Sequence, residues 1–68
     1  MNRWNSKLMK RCENKRVDKF IEDVLAVCAK HRMSIGHEDE HGSFTITQLD
    51  ATWNSMLAIA IDETGNGR

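Results

Sequence analysis

The chain has no run of about twenty apolar residues, which excludes a membrane-spanning helix. Its opening residues are too polar for a secretory signal, so the expected setting is the cytoplasm. Cysteine is scarce. Cys12 and Cys28 lack metal-motif spacing, and two such thiols in a cytoplasmic chain are expected to stay reduced and fill space. There is no serine in a nucleophile elbow, no glycine loop shaped to cradle phosphate, and no sequence neighbour that would activate either thiol. No catalytic residue is therefore assigned, and the expectation is a non-enzyme without a cofactor. Sixty-eight residues make one small domain near the size at which a single core becomes marginal, so stabilisation by a partner is expected.

Net charge is also lacking, but the zero hides an asymmetry. Residues 1–19 carry a net +5 and the remainder −5. The basic segment can hold phosphate backbone through Arg3, Lys7, Lys10 and Arg11, with Trp4 stacking on a base, which makes residues 1–16 a candidate nucleic-acid contact. The same charges also suit a solvated helix face, or attraction between a basic arm and an acidic body.

Apolar spacing organises the rest. Trp4, Leu8 and Cys12, four apart, predict a short amphipathic helix over residues 3–13, so residues 1–14 read as a basic N-terminal helix or arm. Val17, Phe20, Ile21, Val24, Leu25 and Cys28 predict a longer helix from Val17 to Lys30, with Asn14 as N-cap and His31-Arg32 at its C-terminus. Met33 to His37 and Ser43 to Gln48 read as antiparallel strands. Alternation places Met33, Ile35, His37, Phe44 and Ile46 inward, and Ser43, Thr45 and Thr47 outward. Asp50 then caps a last helix whose buried stripe is Trp53, Met56, Leu57, Ala60 and Ile61. The predicted fold class is α+β: an α-β-β-α domain over residues 15–63, followed by a disordered tail, 64–68.

Between the strands lies His37-Glu38-Asp39-Glu40-His41-Gly42, which spells the H-E-x-x-H of zinc proteases. That chemistry needs both histidines one turn apart on a helix, with the Glu between them as general base. A hairpin setting denies this, and Asp39 and Glu40 stand where such a helix carries apolar or small residues. His37 is expected to be a partly buried histidine held by a carboxylate such as Asp39. A zinc or other divalent-metal site at His37 and His41 is the alternative, best completed across a dimer. Glu38, Asp39 and Glu40 crowd negative charge beside His41 into a turn that Gly42 closes. With Thr45 on the adjoining strand face they form the candidate binding surface.

Residues 56–61 are apolar without interruption, more than one helix and a hairpin can cover. Met56, Ile59 and Ala60 are therefore candidate interface residues of a homodimer. Edge pairing of the hairpin across a two-fold axis would make a four-stranded sheet. The alternative is that the N-terminal helix covers this surface, anchored by Trp4 and Leu8.

The succession Val27-Cys28-Ala29-Lys30-His31, Ser34-Ile35, then His37-Glu38-Asp39-x-His41-Gly42-x-Phe44 resembles small proteins encoded by tailed bacteriophages. The likeness spans about residues 20–62 and departs at Arg32, where such proteins tend to have Gly. It implies an accessory protein in the bacterial host cytoplasm, draws attention to His37, Glu38, Asp39, His41, Gly42 and Phe44, and leaves mechanism open. The expected function is host takeover by binding: blocking a host protein or sequestering a small ligand through the acidic turn.

Overall fold

The computed structural model describes residues 1–65. In order they form β1 (Asn2–Asn5), β2 (Lys10–Glu13), α1 (Lys15–His31), β3 (Met33–His37), β4 (Phe44–Gln48) and α2 (Ala51–Ala58). The strands make two antiparallel pairs, β1 with β2 and β3 with β4, so the fold is a small mixed α+β domain.

The central helix forms where the apolar spacing predicts it. Asn14 caps it from an extended conformation, its Oδ1 accepting the N–H groups of Arg16 at 3.1 Å and Val17 at 3.3 Å. At the other end Arg32 stands in the left-handed region (φ 57°, ψ 43°) and its N–H turns back to the carbonyls of Cys28 and Ala29. Glycine takes that conformation freely, whereas a side chain there costs about 1 kcal/mol. Arg32→Gly is therefore expected to stabilise the protein by about 1 kcal/mol, seen as a higher urea midpoint with an unchanged m value. A lower midpoint would mean that the arginine side chain offsets its own backbone strain.

The β3–β4 hairpin has the expected strands, paired from Met33 with Gln48 to His37 with Phe44. Its facing is the reverse of the expected one. Ser34 and Gly36 are buried against α2, with Thr45 and Thr47 half-buried, while Phe44 is 82% exposed and Ile46 69% exposed on the opposite face with Met33, Ile35 and His37. Two local features decide this. A Cβ at Gly36 would lie 2.6 Å from Trp53 Cε2, so only glycine leaves room for the indole on this face of the strand. Beside it the Ser34 hydroxyl donates to Asn54 Oδ1 at 2.8 Å and accepts the Asp50 N–H at 2.8 Å, fixing α2 where Asp50 caps it.

The helix expected over residues 3–13 is instead a β-hairpin. Asn5 Oδ1 accepts the N–H groups of Lys7 and Leu8, both at 3.0 Å, and closes the turn to Met9, which takes a positive φ of 56°. The outer edge of β1 is also used. Asp62 N–H donates to Trp4 O and Ser6 N–H to Asp62 O, both at 2.9 Å. The basic segment is thus joined to the C-terminal stretch and is not a free arm.

That junction also shortens the last helix. The expected stripe runs to Ile61, but α2 ends at Ala58 and Ile61 is exposed. Arg3 Nη1 donates to the carbonyls of Ala58 at 3.2 Å and Ala60 at 2.9 Å, satisfying helix-end acceptors, and the next residues run out to meet β1. Thr64 is anchored too, its N–H and hydroxyl donating to Asp62 Oδ1 at 2.8 and 2.7 Å. Of the tail expected to be disordered, residues 66–68 lie outside the described residues.

Buried side chains are more often polar than apolar. Among the described residues Ile21 and Cys28 are the buried hydrophobic ones, against Arg3, Asn5, Asn14, Ser34 and Asp62. Both thiols are free, Cys28 buried and Cys12 partly so. Among the described residues no helix is long and apolar enough to cross a membrane.

Candidate functional site

The turn between β3 and β4 is built around one carboxylate. Glu38 Oε1 accepts the N–H groups of His41 at 2.8 Å and Ser43 at 3.1 Å, while Oε2 accepts that of Glu40 at 2.9 Å. The Glu38 N–H donates to Ser43 O at 2.9 Å and closes the loop, with Gly42 at a φ of +70°. Foremost the Ser43 N–H, then those of His41 and Glu40, hold the Glu38 carboxyl below its ordinary value, against the opposing effect of desolvation. Glu38, 35% exposed, therefore organises the turn through its own carboxylate. Asp39, whose side chain is 93% exposed, projects with Glu40 and His41.

Thr45, assigned to the same surface, faces the other way. Its Oγ1 would lie 2.8 Å from a Cβ at Gly36, on the side that carries Trp53. Thr45 is thus on a different face of the hairpin from Phe44 and Ile46.

The histidines have separate surroundings. His37 closes β3 with its Nδ1 3.3 Å from Asp39 Oδ1, the local carboxylate expected for it, and its ring centroid is 5.3 Å from that of Trp53. It is exposed, contrary to the inward placement, because the apolar face of the hairpin is the uncovered one. His41 lies in the turn, its Nδ1 3.5 Å from Glu38 Oε1. A strand end and a turn do not reproduce the helical geometry of a zinc protease. Among the described residues the candidate metal donors that do converge are Glu38, Glu40 and His41, within 4.8 Å of one another, and His37 is not among them. Glu38 already spends both oxygens on backbone N–H groups.

At the N-terminal hairpin the structure removes one expected nucleic-acid contact and groups others. Arg3 is 3% exposed, held by Asp18 at 3.0 Å and by the carbonyls at the end of α2. Trp4 and Arg11 are cross-strand partners, and Lys7 and Lys10 stand exposed around the hairpin turn. Periodicity missed the junction of Arg3, Asn5, Asn14 and Asp62 because its inward residues are polar. Within it, Asn14 Nδ2 donates to Asp62 Oδ2 at 3.1 Å. The Asp62 carboxyl lies below its ordinary value, chiefly through the Thr64 N–H and hydroxyl.

Of the candidate interface residues, Met56 and Ala60 line a groove of about 240 Å³ with Ile35, Phe44 and Trp53, whereas Ile59 is exposed elsewhere.

These features define a class: a two-hairpin α+β domain with a hydrogen-bonded acidic turn between β3 and β4 and a basic β1–β2 hairpin. Comparison with family models, curated proteins and solved structures gave no match that would narrow it.

Proposed function

We propose that the chain is a non-catalytic, phage-type accessory protein that acts by binding a host protein in the bacterial cytoplasm, with Asp39, Glu40 and His41 as its contact. The observation that carries this reading is the internal clamp of Glu38 on three backbone N–H groups. A clamped turn holds its outward charges in place and loses little conformational freedom on binding. Two carboxylates presented this way suit a basic protein surface, including one that normally holds nucleic acid.

Charge reversal tests it. Asp39→Lys with Glu40→Lys is expected to weaken capture of the host partner at least tenfold, on the order of the effect of opposing like charges across an interface. Circular dichroism and the urea midpoint should stay unchanged, because Glu38 is retained. Equal capture by both proteins would defeat the proposal.

A second reading, nucleic-acid binding by the β1–β2 hairpin, is favoured by the cross-strand placement of Trp4 and Arg11. It gives affinity for mixed-sequence DNA that falls steeply with salt and survives the turn reversal.

A further inference from the structure

We infer that the open face of the β3–β4 hairpin is the interface of a symmetric homodimer, in which two copies pack sheet face against sheet face. The face carries Met33, Ile35, His37, Phe44, Ile46 and Gln48 in alternation. Phe44 and Ile46, its most exposed apolar side chains, are left largely uncovered by the described residues, at 82% and 69% exposure. On one flank an open groove lined by Val24, Val27, Ile35 and Ile46 continues the apolar surface onto α1. On the other, the groove with Met56 and Ala60 continues it onto α2.

Area and shape point to the occupant. The chain exposes 5301 Å², roughly 900 Å² more than the ~4,400 Å² that size scaling gives a folded monomer of 7.8 kDa. One partner of a standard interface covers about 800 Å². The chain spans 33 × 29 × 15 Å, a slab, and the apolar face of its β3–β4 hairpin is open. A second slab would complete a sheet-on-sheet core about 10 Å thick.

Charge points the same way. The six strand positions of the face include no Lys, Arg, Asp or Glu; their one titratable side chain is His37, which stands at the end of β3 beside Asp39, so an isologous contact over Ile35, Phe44 and Ile46 brings no like charges together. A partner selected by charge would find only the His37 end of the face to pair with. The mode of contact follows as well: joining two β4 edges would extend the sheet but leave Phe44 and Ile46 facing solvent, whereas face-to-face packing buries both.

Sedimentation equilibrium of the full chain at micromolar concentration tests the assembly, with twice the chain mass expected. Ile46→Lys places two unpaired charges in the interface, one from each copy, and should weaken the dimer roughly a thousandfold. The wild type gives an independent readout in case that variant does not fold. A dimer mixed from isotope-labelled and unlabelled chains should show contacts between the Phe44 ring of one copy and the Ile35 and Ile46 methyl groups of the other. A dimer that persists with Ile46→Lys, or whose intersubunit contacts join only β4 backbone protons, would overturn the face assignment. A monomeric wild type would overturn the proposal altogether, whether it binds phosphatidylglycerol vesicles, which would give the face to lipid, or does not, which would leave it to a foreign protein.

Discussion

Replacing Gly36 by alanine is expected to destabilise the protein by about 3 kcal/mol, the upper end of the usual cost of overpacking. Gly36 is not there for its backbone freedom, since the positive-φ glycines among the described residues are Gly42 and Gly65. It is there for space. The added methyl would stand 2.6 Å from Trp53 Cε2, 2.8 Å from Thr45 Oγ1 and 2.9 Å from Trp53 Nε1. A rigid indole cannot yield at one atom, so the whole ring must leave the strand and α2 must move with it. The loss of unfolded-state entropy on changing glycine to alanine favours the variant by only about 0.4–1 kcal/mol, so the clash wins. In a chain of 68 residues, holding roughly 3–10 kcal/mol in all, this approaches global unfolding. The melting temperature should fall by about 15 °C. A fall of less than about 3 °C would show that Trp53 is not seated on this strand in solution.

The second large effect belongs to Arg3. Arg3→Met keeps an apolar stem of similar length and removes the guanidinium that joins β1 to the end of α2 and to Asp18. The carbonyls of Ala58 and Ala60 lose a charged donor, and hydrogen bonds of this kind contribute about 1.5–3 kcal/mol each. The unpartnered Nε of Arg3 lowers the net value of the native arrangement. An overall loss of about 2–4 kcal/mol is expected from urea unfolding. Faster hydrogen exchange at the Ser6 and Asp62 amides, which pair β1 with the C-terminal stretch, should accompany it. Replacing a whole buried ionic network by apolar residues is often neutral or stabilising, but here only one member is removed. An unchanged urea midpoint would mean that Arg3 is merely enclosed and holds nothing together.

Arg3 also marks where sequence reasoning loses information. A buried arginine and an exposed one are the same letter, and Arg3 fell into a charge asymmetry that suggested phosphate binding. Trp4, Leu8 and Cys12 have helical spacing, yet the side-chain oxygen of Asn5 closes a turn inside that window and Asp62 supplies an edge partner from 57 residues away. Long-range pairing of this kind leaves no periodic trace. Caps were different. Asn14 and Asp50 act within three residues of themselves, so their roles could be read directly. The acidic turn lies between these cases. Its position was evident from flanking strands and Gly42, but which carboxylate faces inward depends on a loop geometry that three adjacent acids do not reveal.

The α1–β3–β4–α2 order, the two helix caps, the alternation of the hairpin and the identity of its apolar face all follow from the linear pattern. These rest on short-range spacing and on side chains bonding to nearby backbone. Three-dimensional packing sets the rest: α2 lies on the face of Ser34 and Gly36, the basic segment is a hairpin, Arg3 is buried, and the Glu38 carboxylate binds the backbone of its own turn. Each of those outcomes depends on contact between groups whose fit the linear pattern does not encode: an indole against a missing Cβ, a guanidinium against the carbonyls at a helix end, and a carboxylate against three converging N–H groups.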